Sequence, residues 1–170
     1  DATDDEYGTK LAKILCEAQK RGVQTSVDVV SECSDRFRKL VIPALRYCDF
    51  CTINEIEAAQ ITQMSLRNEE EALIQENIEP ALRKLKSYGV EKWITIHTPE
   101  GAFGLDEQQN YVTRPSQKLP AGFIKDSVGA GDAFAAGLLY SAYKGIDYAK
   151  ALDIANTTAA FSLSEYGATD

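Results

Sequence analysis

Apolar residues along this chain alternate between helical spacing and short continuous runs. Leu11, Ile14, Leu15 and Ala18 fall at i, i+3, i+4 and i+7, one face of a helix that Gly22 ends. Val23 to Val30 is β-branched and apolar enough for a buried strand. Phe37, Leu40, Val41, Ala44 and Leu45 mark a second helical face, kinked or restarted at Pro43. Asp49 to Ile53 reads as the next strand. Asn68 and Glu71, three apart, have the form of a capping box; it opens a helix interrupted at Pro80 and closed by Gly89. Trp93 to His97 is strand again. Short strand-like pieces follow at Ala102 to Leu105 and Tyr111 to Arg114, with a polar turn between them. From Ala130 the pattern turns helical and almost wholly apolar: Ala133-Phe134-Ala135-Ala136-Gly137-Leu138-Leu139 predicts a helix buried on all sides. A last helix, after Gly145, is expected from Asp147 to Leu163.

Strands alternating with helices predict an α/β fold, with a mostly parallel sheet flanked by helices on both faces. We read residues 1–170 as one domain. The chain opens almost directly into a helix, with no strand before it to cross over from, and reads as though N-terminal strands were missing.

Charge and composition narrow the function. With 18 Lys+Arg against 26 Asp+Glu the formal charge is −8, and no basic cluster interrupts it, so nucleic acid is not an expected partner. No apolar run approaches the ~18 residues a membrane span needs. The acidic Asp1-Ala2-Thr3-Asp4-Asp5-Glu6 does not resemble a secretory signal, and a cytoplasmic location is expected. Cys48 and Cys51 form a C-x-x-C pair, joined by Cys16 and Cys33 elsewhere. Positions three apart on a strand face opposite sides, no second pair stands at zinc spacing, and His97 is the only histidine. The cysteines read as structural and reduced, with redox or metal use as the competing reading.

The sharpest chemistry lies in Asp126-Ser127-Val128-Gly129-Ala130-Gly131-Asp132-Ala133-Phe134. Two glycines flank an alanine where a loop enters a helix. Small residues there let a ligand approach the backbone, and a helix start presents unpaired N–H groups and the positive end of a dipole. Such a place suits a phosphate. Asp132 is then either a base beside that phosphate or only a favourable first-turn acid.

This segment resembles the D-[ST]-x-G-A-G-D signature of the ribokinase-like (PfkB) carbohydrate kinase family, matching every fixed position. Asn54-Glu55-Ile56-Glu57, at the end of a strand, resembles the family's N-x-x-E element. Ile96-His97-Thr98-Pro99-Glu100-Gly101 is similar to its T-x-G-x-x-G turn, although Ile96 and Thr98 replace the first Thr and first Gly and only Gly101 is kept. The resemblance covers essentially the whole chain but only the C-terminal half of the family's fold. The Gly-Gly sugar-binding segment and the small β-sheet lid have no counterpart here.

The resemblance implies ATP-dependent phosphorylation of a sugar hydroxyl, with ATP and Mg²⁺ as cofactors. Asp132 would be the base; the N–H groups of Gly129, Ala130 and Gly131 would stabilise the transferring phosphoryl group. Glu57 would orient Mg²⁺ through water, against a reading as a solvated helix charge, and Asn54 would contact the phosphates or their water. Thr98 and Gly101 would border the nucleotide, and Asn156 would meet its adenine end, against a reading as a plain buried amide. Asp126 and Val128, with Ser162, Glu165 and Gly167, match a loop pair that holds a monovalent cation, K⁺, in many members. His97 reads as a strand-end residue near the nucleotide rather than a catalyst, and Trp93 as packing. Asp28 stands where some members carry D-x-N-x-R, but Val30 and Glu32 replace the Asn and Arg, which weighs against sugar-acid and fructose substrates.

Two other readings compete: a nucleoside or vitamin-precursor kinase of the same superfamily, and a non-catalytic nucleotide-binding module. With the acceptor-positioning half absent, the chain alone is expected to be inactive, and to associate with itself or with an N-terminal half.

Overall fold

A computed structural model describes residues 3–29 and 36–167. In chain order the elements are β1 (Thr3–Asp4), β2 (Gly8–Thr9), α1 (Lys10–Lys20), β3 (Ser26–Val27), α2 (Arg36–Leu45), β4 (Phe50–Asn54), α3 (Glu55–Thr62), α4 (Gln75–Ser87), β5 (Trp93–Thr98), β6 (Gly101–Leu105), β7 (Tyr111–Pro115), α5 (Ala130–Tyr143) and α6 (Tyr148–Ser162). The fold is α/β, as expected. β1 and β2 make a small antiparallel hairpin, and β3-β4-β5-β6-β7 form a mixed, mostly parallel sheet. The β3–β4 pair is parallel, with Ser26 opposite Phe50 and Val27 opposite Cys51. Turns of two and five residues join β5 to β6 and β6 to β7, which is the geometry of antiparallel hairpins.

The chain divides into two compact units, Asp1–Ile96 with Phe103–Tyr111, and His97–Ala102 with Val112–Asp170. In the first unit one apolar core gathers Leu45, Ile53, Ile61, Leu82, Ile94 and Leu105, all fully buried. Asp49 is the polar clip beside it. Its Oδ2 accepts hydrogen bonds from the Thr25 N–H (2.8 Å) and hydroxyl (3.1 Å), and the Asp49 and Phe50 N–H groups donate back to the Thr25 carbonyl. That exchange sets the strand register.

Several local expectations needed correction here. The buried face of α1 is Ala12, Leu15 and Cys16, while Leu11 and Ile14 point outward at 47% and 65% exposure. Apolar residues occupy both faces of this helix, so spacing alone could not choose between them. The strand expected from Val23 is shorter, beginning at Ser26, and Val23 is exposed; Val30 and Cys33 lie outside the described residues. Asn68 does not cap a helix. Its Oδ1 accepts from the Glu70 and Ala72 N–H groups, closing a turn ahead of α4. α4 starts at Gln75 and runs through Pro80, whose exposed position leaves the unbonded carbonyl one turn back to water. α2 likewise continues through Pro43.

In the second unit α5 and α6 form a tight helical hairpin. A Cβ on Gly137 would lie 2.8 Å from Thr158 Oγ1 and 3.0 Å from Ala155 Cα, so only glycine allows this approach. Asp147 caps α6, accepting from the Ala149 and Lys150 N–H groups. α5 is not buried on all sides. Phe134, Ala135, Leu138 and Ser141 are buried, whereas Leu139, Tyr140 and Tyr143 form an exposed apolar stripe.

Candidate functional site

Asn54 ends β4 and caps α3. Its Oδ1 accepts the Glu57 N–H at 2.8 Å, and Glu57 Oε2 accepts the Asn54 N–H at 3.0 Å. The N-x-x-E element is therefore a capping box, built where the sequence reading had placed only its functional pair. Glu57 is 4% exposed, which removes the reading as a solvated helix charge. Beside it, Glu55 is buried and paired with Arg67 at 2.6 Å. Nearby, burial pushes the Cys48 thiol up to about 12 and raises Cys51 as well. Cys16, Cys48 and Cys51 are free and buried, as a structural role requires.

The helix-start segment lies in the second unit. Gly129 takes the left-handed conformation (φ 82°) and stands at the N-cap of α5, where no side chain caps the helix. Glycine is favoured at that φ. The Ala130 N–H donates to the Ser127 carbonyl at 3.3 Å, and no side chain caps the N–H groups that follow it in the first turn. The Ala133 N–H closes onto the Gly129 carbonyl at 2.9 Å, fixing the turn. Asp132 is exposed in that first turn. An uncapped N–H cluster and an exposed carboxylate thus share one helix end.

His97, read from the sequence as a strand-end residue near the nucleotide, packs beside this helix start. Its ring packs on Phe134 with centroids 5.2 Å apart, and Cε1 lies 3.4 Å from where a Cβ on Gly131 would sit. Thr98 closes the β5–β6 turn: its Oγ1 accepts the Glu100 (3.1 Å) and Gly101 (3.2 Å) N–H groups. A hydroxyl thereby stabilises the turn at a position where the resemblance called for glycine. Gly101 is fixed by packing, since a Cβ there would lie 2.5 Å from the Arg114 carbonyl oxygen. Asn156 is buried, and its Nδ2 donates to the Pro115 carbonyl at 3.2 Å, tying α6 to β7.

The two loops assigned to a cation do meet. Asp126 Oδ1 accepts the Val128 N–H and Oδ2 the Gly167 N–H, each at 3.1 Å. These N–H groups, Val128 first, hold its carboxyl below the usual carboxylate range. The Ser162 hydroxyl donates to the Ala159 carbonyl, and the Glu165 N–H to the Ser162 carbonyl. Among the described residues no group of three or more His, Cys, Asp or Glu side chains is placed to hold a metal ion.

A family model described as "pfkB family carbohydrate kinase" matches residues 2–170. No curated protein matches. Among solved structures the chain is similar to a 2-dehydro-3-deoxygluconokinase from Thermotoga maritima, with 22% identity and a TM-score of 0.74 over 94% of this chain and 50% of that one. It is similar also to a ribokinase from Arabidopsis thaliana complexed with ribose and ATP, at 21% identity and a TM-score of 0.75 over 95% and 48%. An adenosine kinase from Sinorhizobium meliloti gives 20% identity and 0.76 over 95% and 46%. The chain spans about half the length of these structures.

Proposed function

Because this chain belongs to the pfkB family of carbohydrate kinases, we propose that it carries the nucleotide and catalytic-base half of an enzyme that phosphorylates a sugar hydroxyl with ATP. The observation that supports this most is the start of α5, where uncapped N–H groups stand beside the exposed Asp132 carboxylate. Asp132 takes the proton of the acceptor hydroxyl. The freed oxygen bonds to the γ-phosphorus, the bond from that phosphorus to the β-bridging oxygen breaks, and ADP leaves. Charge on the moving phosphoryl group falls on the N–H groups of Gly129 and Gly131, and on that of Ala130 once it leaves the Ser127 carbonyl, an electrostatic role suited to a reaction that needs positioning more than covalent help.

Glu57 fits a Mg²⁺ site: its carboxylate is buried and held in place through Oε2, and Mg²⁺ keeps several waters and takes few protein ligands. When bound, the ion would neutralise phosphate charge. Asn54 organises that carboxylate through the capping box, and Thr98, Gly101 and Asn156 shape the turn and strand end assigned to the nucleotide. A binding module would have no need of a base, so Asp132 favours the enzyme over the non-catalytic reading. The free, buried cysteines support a reducing, cytoplasmic setting.

The test is Asp132→Asn in the complete enzyme. Turnover should fall ~10²–10⁴-fold, the usual loss for a general base, while nucleotide binding persists. A change below tenfold would remove Asp132 from the role of base.

A further inference from the structure

We propose that His97 is a proton-linked member of the phosphate site: its imidazole, seated against the first turn of α5, takes up a proton when a phosphate binds there, and so adds a positive charge beside the backbone N–H groups. The proposal rests on the phosphate-site reading of the α5 start. In it His97 holds the anion by charge and takes no part in the proton transfer assigned to Asp132.

The chain has one histidine, and the fold puts it half-buried near the end of β5, against Gly131, the second residue of α5. The Cε1–Nε2 edge of the ring faces that residue: a Cβ on Gly131 would lie 3.4 Å from Cε1 and 3.7 Å from Nε2. The ring also lies on Phe134, with centroids 5.2 Å and planes 30° apart, so the same helix fixes its orientation one turn on. The titrating Nε2 therefore sits beside the turn whose N–H groups would receive the phosphate. Electrostatics sets the sign of the linkage. Without an anion, the positive end of the α5 dipole opposes a proton on the ring. A phosphate on the first-turn N–H groups reverses the local field, because an opposite charge within ~4–6 Å favours the charged form of a side chain. Few other titratable groups stand on the elements around the ring. They are Asp132 in the same turn of α5, Glu100 in the β5–β6 turn, and Cys51 on the neighbouring strand β4, whose thiol burial keeps protonated; β6 carries none. Carboxylates ordinarily titrate near pH ~4 and imidazole near ~6.5, so a transition around neutrality belongs to His97.

A single histidine makes the test direct. The His97 Cε1–H signal of the full chain is followed by NMR from a pH of about 5.5 to about 8.5, in sodium sulfate and in sodium chloride of equal ionic strength. Sulfate stays doubly charged throughout, so any proton taken up goes to the protein. The titration midpoint should rise by about one unit in sulfate, and the amide signals of Gly129, Ala130 and Gly131 should shift with it. His97→Gln keeps a polar side chain without the titration. Sulfate affinity read from those amides should rise up to about tenfold from pH of about 8 to about 6 in the parent, and stay flat in the variant. If His97 merely props the helix, His97→Gln weakens sulfate binding equally at both pH values and the parent midpoint stays still; that result overturns the proposal. Amide shifts with the midpoint constant within about 0.2 unit overturn it too, and leave the phosphate-site reading intact. A midpoint that rises while the amides stay still places the anion elsewhere, which also overturns it. Amides and midpoint both indifferent to sulfate refute the phosphate-site reading, and the proposal with it. If His97→Gln fails to fold, the parent titration decides alone.

Discussion

Glu57 has two separable jobs, and substitution can pull them apart. The capping box needs an acceptor on residue 57 for the Asn54 N–H, at 3.0 Å, and a carboxamide supplies one as well as a carboxylate does. Glu57→Gln should keep the box and shift stability by less than ~0.5 kcal/mol. Glu57→Ala removes the acceptor and leaves the Asn54 N–H unpaired beside a 4% exposed position, a loss of ~1–3 kcal/mol. For a chain of this size that is a fall of roughly 2–12 °C in Tm. Trp93, edge-on to Phe50 at 5.4 Å, lies in the same unit and reports its unfolding by fluorescence. The metal role follows charge instead of hydrogen bonding. In the complete enzyme Glu57→Gln should raise the Mg²⁺ concentration for half-maximal rate, although its fold is intact. Equal destabilisation by Gln and Ala would refute the capping argument. An unchanged Mg²⁺ dependence would leave Glu57 with the cap alone.

Four further outcomes are expected. Cys48, held at about 12, has roughly 10⁻⁴ of its thiol ionised at pH 8, so it and Cys51 should resist thiol reagents until denaturant is added. The same shift makes the fold lose stability as pH climbs from 9 toward 12, because the unfolded chain releases those protons first; a melting temperature flat across that window would contradict it. The chain alone should phosphorylate no sugar in a coupled assay, and should self-associate through the stripe that includes Tyr140 and Tyr143, 56% and 82% exposed. Sugar-dependent turnover would refute the first statement, and a monomer by light scattering the second.

Elements with a strong local signal were legible in the sequence. β4, β5 and the last two helices fall within a residue or two of their expected ranges, because short apolar runs and glycine or aspartate boundaries are set by neighbours in the chain. The helix-start segment was legible for the same reason: Gly129 and Asp132 belong to one turn, and its backbone is determined within nine residues. The N-x-x-E pair was found by resemblance, yet its capping geometry was missed, and the box was assigned to Asn68 and Glu71. A three-residue spacing fits any turn that might open a helix, and only the position of the helix decides between candidates.

What the sequence determined by itself was the α/β order, the helix-start glycines and the acidic residue beside them, all consequences of backbone sterics and short-range spacing. Tertiary structure decided which face of α1 is buried, since Leu11, Ile14 and Leu15 are equally apolar and only packing separates them. It also decided that the Asp126 carboxylate meets the Gly167 N–H and that Asn156 binds the Pro115 carbonyl, contacts spanning 41 residues each. No local pattern encodes such partners, because a hydrogen bond depends on where the fold brings the acceptor, and that place is set by the packing of every element between.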